Sequence, residues 1–180
     1  MTTIRTPADE TEARAVQDEL RARVVLDEPG PPPGSGLVTG VDVAYDDERD
    51  VVVAAAVVLD ARTLMVVEET TATGKVAFPY VPGLLAFREI PTVLAALESL
   101  ASGPGLVVCD GYGRAHPRRF GLASHPGPVV RILPGSRALA RTSAAPPGPC
   151  GPGRCPHRVD FLLRLAAART RPRSPRGGSR

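Results

Sequence analysis

Two aspartates stand where aspartates are costly. Asp42 lies in GVDVAY and Asp110 in LVVCDGYG, each within or at the end of an apolar run of strand character. A carboxylate in such a run loses hydration and needs a compensating partner. One such acid alone is as readily explained by a turn or an Arg partner. Two on neighbouring parallel strands can converge on one divalent cation, and Mg²⁺ prefers carboxylate oxygens plus water. Glu89 can add a third carboxylate from the turn before a helix opened by Pro91, although a solvated charge at a helix start is the commoner fate of such a residue. Three carboxylates around Mg²⁺, with Mn²⁺ as a substitute, would polarise a phosphate and activate a water, which is the chemistry of phosphodiester hydrolysis.

Those acids need a scaffold. Residues 8–25 read as a helix, with Ala13, Val16, Leu20, Val24 and Val25 at helical spacing between charges. EPGPPPGSG is a loop. Three strand-like runs follow, at 37–45, 51–59 and 64–71, and the short polar links DDERD and DART make them an antiparallel meander. The run 51–59 is apolar throughout, so it is expected at the centre of the sheet, covered on both faces. Pro91 suits the first turn of a helix whose apolar face is Val93, Leu94, Leu97 and Leu100. The run 106–110 is a short buried strand reached by a crossover, and therefore parallel to the first. The expected fold class is α/β: a ribonuclease H-like mixed sheet, three antiparallel strands plus a parallel one, with flanking helices and an incomplete C-terminal side.

The chain of 180 residues is one domain's worth. With 43% hydrophobic and 4% aromatic residues and no Trp, its interior is aliphatic. Three Cys are too few for a disulfide framework and point to a reducing cytoplasm. No apolar run reaches the length of about 18 residues that a membrane span needs. The polar N-terminus MTTIRTPADETEAR does not read as a targeting segment. A monomer with no membrane partner is expected. The net charge of +3 hides an asymmetry: residues 1–127 hold ten Arg and one Lys against 18 acids, whereas residues 128–180 hold eleven Arg against Asp160 alone. That second stretch also carries nine Pro, and only 159–168 is helix-like. Two regions are therefore expected: a catalytic core over 1–127, and a tail over 128–180 that is disordered or the product of an out-of-frame reading. Cys150, Cys155 and His157 in that tail lack the spacing and the fourth ligand of a zinc site.

GVDVAY, FPYVPGLLAFRE and DGYGRAHPRRFGLASHPG, in that order, resemble three successive signature blocks of the endonuclease V family, over roughly residues 8–127. The resemblance implies a ribonuclease H-like fold and an Mg²⁺-dependent DNA repair endonuclease. Such an enzyme recognises deoxyinosine and other deaminated bases in DNA and cuts the second phosphodiester bond on the 3′ side of the lesion. It makes Asp42 and Asp110 the metal ligands and Glu89 the third acid, shaping the site or its waters. His116 falls near the scissile phosphate, as hydrogen-bond donor or proton shuttle. Tyr80 becomes a wedge whose ring replaces the stacking lost when a base is extruded. Gly83, Leu85, Gly111 and Leu122 match positions lining the lesion pocket, and Arg118 and Arg119 suit phosphate contacts. The sequence departs from the family at Tyr112, where a smaller polar residue is usual, and at Arg114, where an aliphatic one is usual. Past residue 127 the family's TxGVAK-like block and its Lys have no counterpart, and CPHRVD with His157 is a faint echo of a distal GHRV-like stretch. Two other readings stay open: a remnant that binds nucleic acid without cutting, and a ribonuclease for inosine, since 2′-OH contacts are not legible in these motifs.

Overall fold

A computed structural model of the chain describes residues 6–25, 29–109 and 111–125. Asp110 and the whole of the expected tail, with Cys150, Cys155 and His157, lie outside the described residues.

Helix α1 (Glu10–Arg21) starts where its backbone donors find carboxylates. Asp9 accepts from the Glu12 N–H at 2.8 Å, and Glu12 reaches back to the Ala8 N–H at 2.6 Å. The helix stops short of the expected end at 25. The Arg23 and Val24 amides close onto the Leu20 and Arg21 carbonyls three residues back, which tightens the last turn and ends it.

The sheet consists of β1 (Leu37–Asp46), β2 (Val51–Asp60), β3 (Val66–Lys75) and β4 (Leu106–Cys109), in the order β3-β2-β1-β4. The first three are antiparallel and β4 runs parallel to β1, with Val41 opposite Cys109. This is the expected ribonuclease H-like arrangement. The central strand β2 is packed on both faces. Ala54, Ala56 and Val58 lie in the main core with helix α2 (Ala86–Glu98), while Val53 and Ala55 join Ala44 on the other side.

Two further elements differ in their bounds from the sequence reading. Strand β3 begins at Val66 rather than 64. The Asp60 carboxylate accepts from the Arg62 and Thr63 amides and the Thr63 hydroxyl, making a turn that holds Leu64 at φ 57°. The strand then runs on to Lys75, where its ladder ends opposite Val51. Helix α2 begins before Pro91, not at it. The buried Leu84, Ala86 and Phe87 anchor its first turn, and that packing outweighs the donor Pro91 lacks inside the helix. Glu89 therefore belongs to the first turn of α2 itself. A Cβ on Gly74 would lie 2.7 Å from Thr92 Oγ1, so the glycine is what lets β3 pass close beneath α2. Among the described residues no helix is long and apolar enough to cross a membrane.

Candidate active site

Strand β1 and helix α2 bring Asp42 and Glu89 to one small, open pocket, also lined by Val41, Cys109 and Leu122. The parallel register that pairs Val41 with Cys109 pairs the residues directly preceding Asp42 and Asp110 in the chain. Glu89 is buried and accepts a 2.5 Å hydrogen bond from the Tyr45 hydroxyl. The Arg88 guanidinium lies 4.5 Å from the Tyr45 ring centroid and pairs with Asp47 at 2.8 Å. Burial, then the Glu89 charge, push the Tyr45 hydroxyl far above the ordinary phenol range, so it remains a donor to Glu89 at any physiological pH. Anionic oxygens in an open pocket fit a hard cation such as Mg²⁺. Among the described residues no three His, Cys, Asp or Glu side chains gather to hold an ion by themselves. The expected ligand set includes Asp110, which lies outside them.

The second block forms a loop pinned at both ends. Phe78 and Leu84 are buried beside Ala13 and Phe87, while Tyr80 between them is 68% exposed. Gly83 takes φ 84°, and a Cβ there would stand 3.3 Å from His116 Nε2. Leu85, half-buried, is the residue before α2. His116 is buried under this loop. Its Nδ1 accepts from the Arg118 N–H at 3.1 Å, which places the ring proton on Nε2, beside Gly83. Burial lowers the His116 pKa, the Arg118 charge lowers it further, and a hydrogen bond to the Gly83 backbone opposes both; the ring is neutral at pH 7. Among the described residues, His116 is not part of the lining that holds Asp42 and Glu89.

Each of the two expected lesion-pocket glycines has a close side-chain neighbour. Gly83 meets His116, whereas Gly111, at φ 123°, packs against Leu122, with a Cβ there only 3.2 Å from Leu122 Cδ2. The two expected phosphate contacts, neighbours in the chain, have different surroundings. Arg118 is tied to α1 through Asp18 (2.6 Å) and Gln17 (3.0 Å), while Arg119 is exposed at φ 59°. Sequence reasoning missed Gln17 and Tyr45. Gln17 had a signal: a polar residue on the apolar stripe between Ala13 and Leu20.

His125 is the last described residue of the third block. It is 1% exposed, edge-on to Phe87 (5.3 Å) and over Phe120 (4.4 Å), with Nδ1 3.0 Å from the Gly121 carbonyl. Burial pulls its pKa down from 6.5 to about 4. The unfolded chain therefore binds more protons between those values, so stability is intact above pH 6.5 and falls as pH drops toward 4. The expected loss at pH 4.5 is about 2–3 kcal/mol. Urea unfolding of the parent and His125→Leu at pH 7.5 and pH 4.5 measures it; the variant should lose correspondingly less on acidification, and equal losses would refute the assignment.

Comparison with known proteins agrees with this architecture. The Endonuclease V family model matches residues 18–134. Endonuclease V of Streptomyces coelicolor is 84% identical over 128 residues, covering 71% of this chain and 54% of that relative. The crystal structure of Streptomyces avermitilis endonuclease V superposes with a TM-score of 0.69 at 73% identity, over 79% of this chain and 64% of that one. Ciona intestinalis endonuclease V, solved with a 24mer DNA containing an inosine followed by a ribo-adenosine, superposes with a TM-score of 0.65 at 26% identity, over 88% of this chain and 67% of that one. The chain thus spans little more than half the length of the Streptomyces coelicolor relative. Signature blocks, sheet order and a family match over residues 18–134 converge: this chain belongs to the endonuclease V family.

Proposed function

We propose that this chain carries the core of a cytoplasmic, monomeric, Mg²⁺-dependent repair endonuclease that cuts DNA at deoxyinosine and other deaminated bases, at the second phosphodiester bond 3′ to the lesion. The observation that carries this reading is the pocket shared by Asp42 and Glu89, beside the strand that leads into Asp110. Asp42 and Asp110 would hold the ion, which when bound supplies phosphate polarisation and an activated water. The chain's own residues supply the rest. Tyr45 holds the Glu89 carboxylate in place. Tyr80, exposed on a loop with buried anchors, offers a ring to stack where a base has left the duplex. Gly83, Leu85, Gly111 and Leu122 shape the space for the extruded base, the glycines by letting backbone approach its edge. His116, neutral with its proton on Nε2 and held beside the Tyr80 loop, is the hydrogen-bond donor we place near the scissile phosphate.

The test is nicking of a duplex with one deoxyinosine, against the same duplex with deoxyadenosine, in Mg²⁺ and in Mn²⁺, with the cut mapped. No inosine-dependent nick in either metal refutes the reading. The ribo-adenosine beside the inosine in the Ciona complex favours one added arm, a ribo-substituted strand, for the inosine ribonuclease reading. Within this assay Tyr80→Ala is expected to weaken binding to the inosine duplex by about 1–3 kcal/mol, the value of one base–aromatic stack. Unchanged affinity would reduce Tyr80 to a loop residue.

A further inference from the structure

Gln17 is 1% exposed and polar, and its side-chain hydrogen bonds leave its own helix. Its Nε2 donates to the Gly83 carbonyl at 2.9 Å, three residues after Tyr80, and to the Phe120 carbonyl at 3.1 Å, four residues after His116. Its Oε1 accepts from Arg118 Nε at 3.0 Å. Arg118 also donates to the Arg14 carbonyl at 3.3 Å and to Asp18 at 2.6 Å, and Arg21 donates to the Arg118 carbonyl at 3.3 Å, so with Gln17 α1 grips this segment from four positions. His116 Nε2 lies beside the same glycine, 3.3 Å from where a Gly83 Cβ would stand. An apolar residue between Ala13 and Leu20 would fill the same space, so burial alone does not account for an amide here.

We infer that Gln17 is a positioning residue. It locks the loop 79–85, which carries Tyr80, and the segment 111–125, which carries His116, into one unit, so that the two meet a nucleic acid together. The inference rests on the proposal above that Tyr80 and His116 face nucleic acid, but the joint itself is testable without substrate. Amide hydrogen exchange of the 180-residue chain, followed by NMR, is compared with Gln17→Met, which keeps the volume and loses all three bonds. It is also compared with Gln17→Glu, which keeps the acceptor for Arg118 and loses both donors. The reporters are the Leu84 amide, bonded to Val81 at 2.9 Å, and the Gly121 amide, bonded to Gly113 at 3.0 Å. Both are expected to exchange about tenfold faster in both variants, with β2 amides unchanged. Acceleration in one segment alone, or in neither, overturns the inference. Should Gln17→Met speed β2 as well and so report global loosening, Gln17→Glu decides alone.

The second measurement is discrimination between inosine-containing and undamaged duplex, read by fluorescence anisotropy. Each variant should lose about tenfold of the parent's ratio. A preserved ratio overturns the positioning role even if the segments loosen. A parent that does not discriminate counts against the nucleic-acid reading, and the exchange data then decide the joint on their own.

Discussion

Asp42→Asn is expected to slow nicking of an inosine duplex by at least about a thousandfold while leaving the fold intact. Asparagine has the shape of aspartate, so β1 keeps its register, with position 42 opposite Ala55 and Val41 opposite Cys109. What disappears is a full negative charge from the pocket shared with Glu89. A bound divalent ion contributes several kcal/mol of charge stabilisation to phosphodiester cleavage, and losing about 4 kcal/mol of it corresponds to that factor. Stability should hold or rise, because a half-buried carboxylate has been replaced by a neutral amide that is cheaper to desolvate. Three measurements separate the alternatives: the single-turnover rate in Mg²⁺, Mn²⁺ affinity by titration, and the urea midpoint. A slow variant that binds Mn²⁺ as the parent does, or a variant with near-parental rate, would remove Asp42 from the metal site. A slow variant with a much lower urea midpoint would mean that the carboxylate serves the fold.

The acids were legible because of where they stand. A charge inside a valine-rich strand is expensive wherever the chain folds, so Asp42 could be singled out without knowing its neighbours. The meander was legible for a similar reason, since links as short as DDERD and DART leave consecutive strands no other way to pair. Elsewhere long-range packing overrode a local rule. Pro91 looks like a helix start, but Leu84, Ala86 and Phe87 have buried sites ahead of it, and the helix forms through the proline. Leu64 looks like a strand residue, but the Asp60 carboxylate folds the turn first. The tie between Arg118 and Asp18, 100 positions earlier, could not be read from the sequence, because it forms only when α1 is placed against the segment. Gln17 and Tyr45 were missed for the same reason: their partners, Gly83, Phe120 and Glu89, are distant in sequence.

Joining the distal part of Streptomyces avermitilis endonuclease V to this chain, past the matched region, is expected to raise nicking at least about a hundredfold over the 180-residue chain. The curated sequence of that relative is matched over 60% of its length. The physical grounds lie at the edge of the sheet. Among the described strands β4 has β1 as its single neighbour, and β4 is the strand that leads into Asp110. An edge strand with an open side is less well held than one paired on both sides. Cleavage needs its carboxylates placed to within a fraction of an ångström. Among the described residues, Ser124 Oγ, in the short turn that touches β4, and the adjoining His125 Nε2 are buried with no hydrogen-bond partner, an arrangement that folded proteins seldom tolerate and that an added segment could relieve. Binding should respond differently. The eleven Arg of residues 128–180 add phosphate contacts to the 180-residue chain, so its affinity for any duplex should be appreciable and fall steeply with salt, while its cutting stays weak. The comparison is therefore run as two curves for each protein, nicking rate and duplex affinity against salt. Equal turnover by the two proteins would show that the described strands already hold the carboxylates as cleavage requires, and that β4 needs no second neighbour from the added segment.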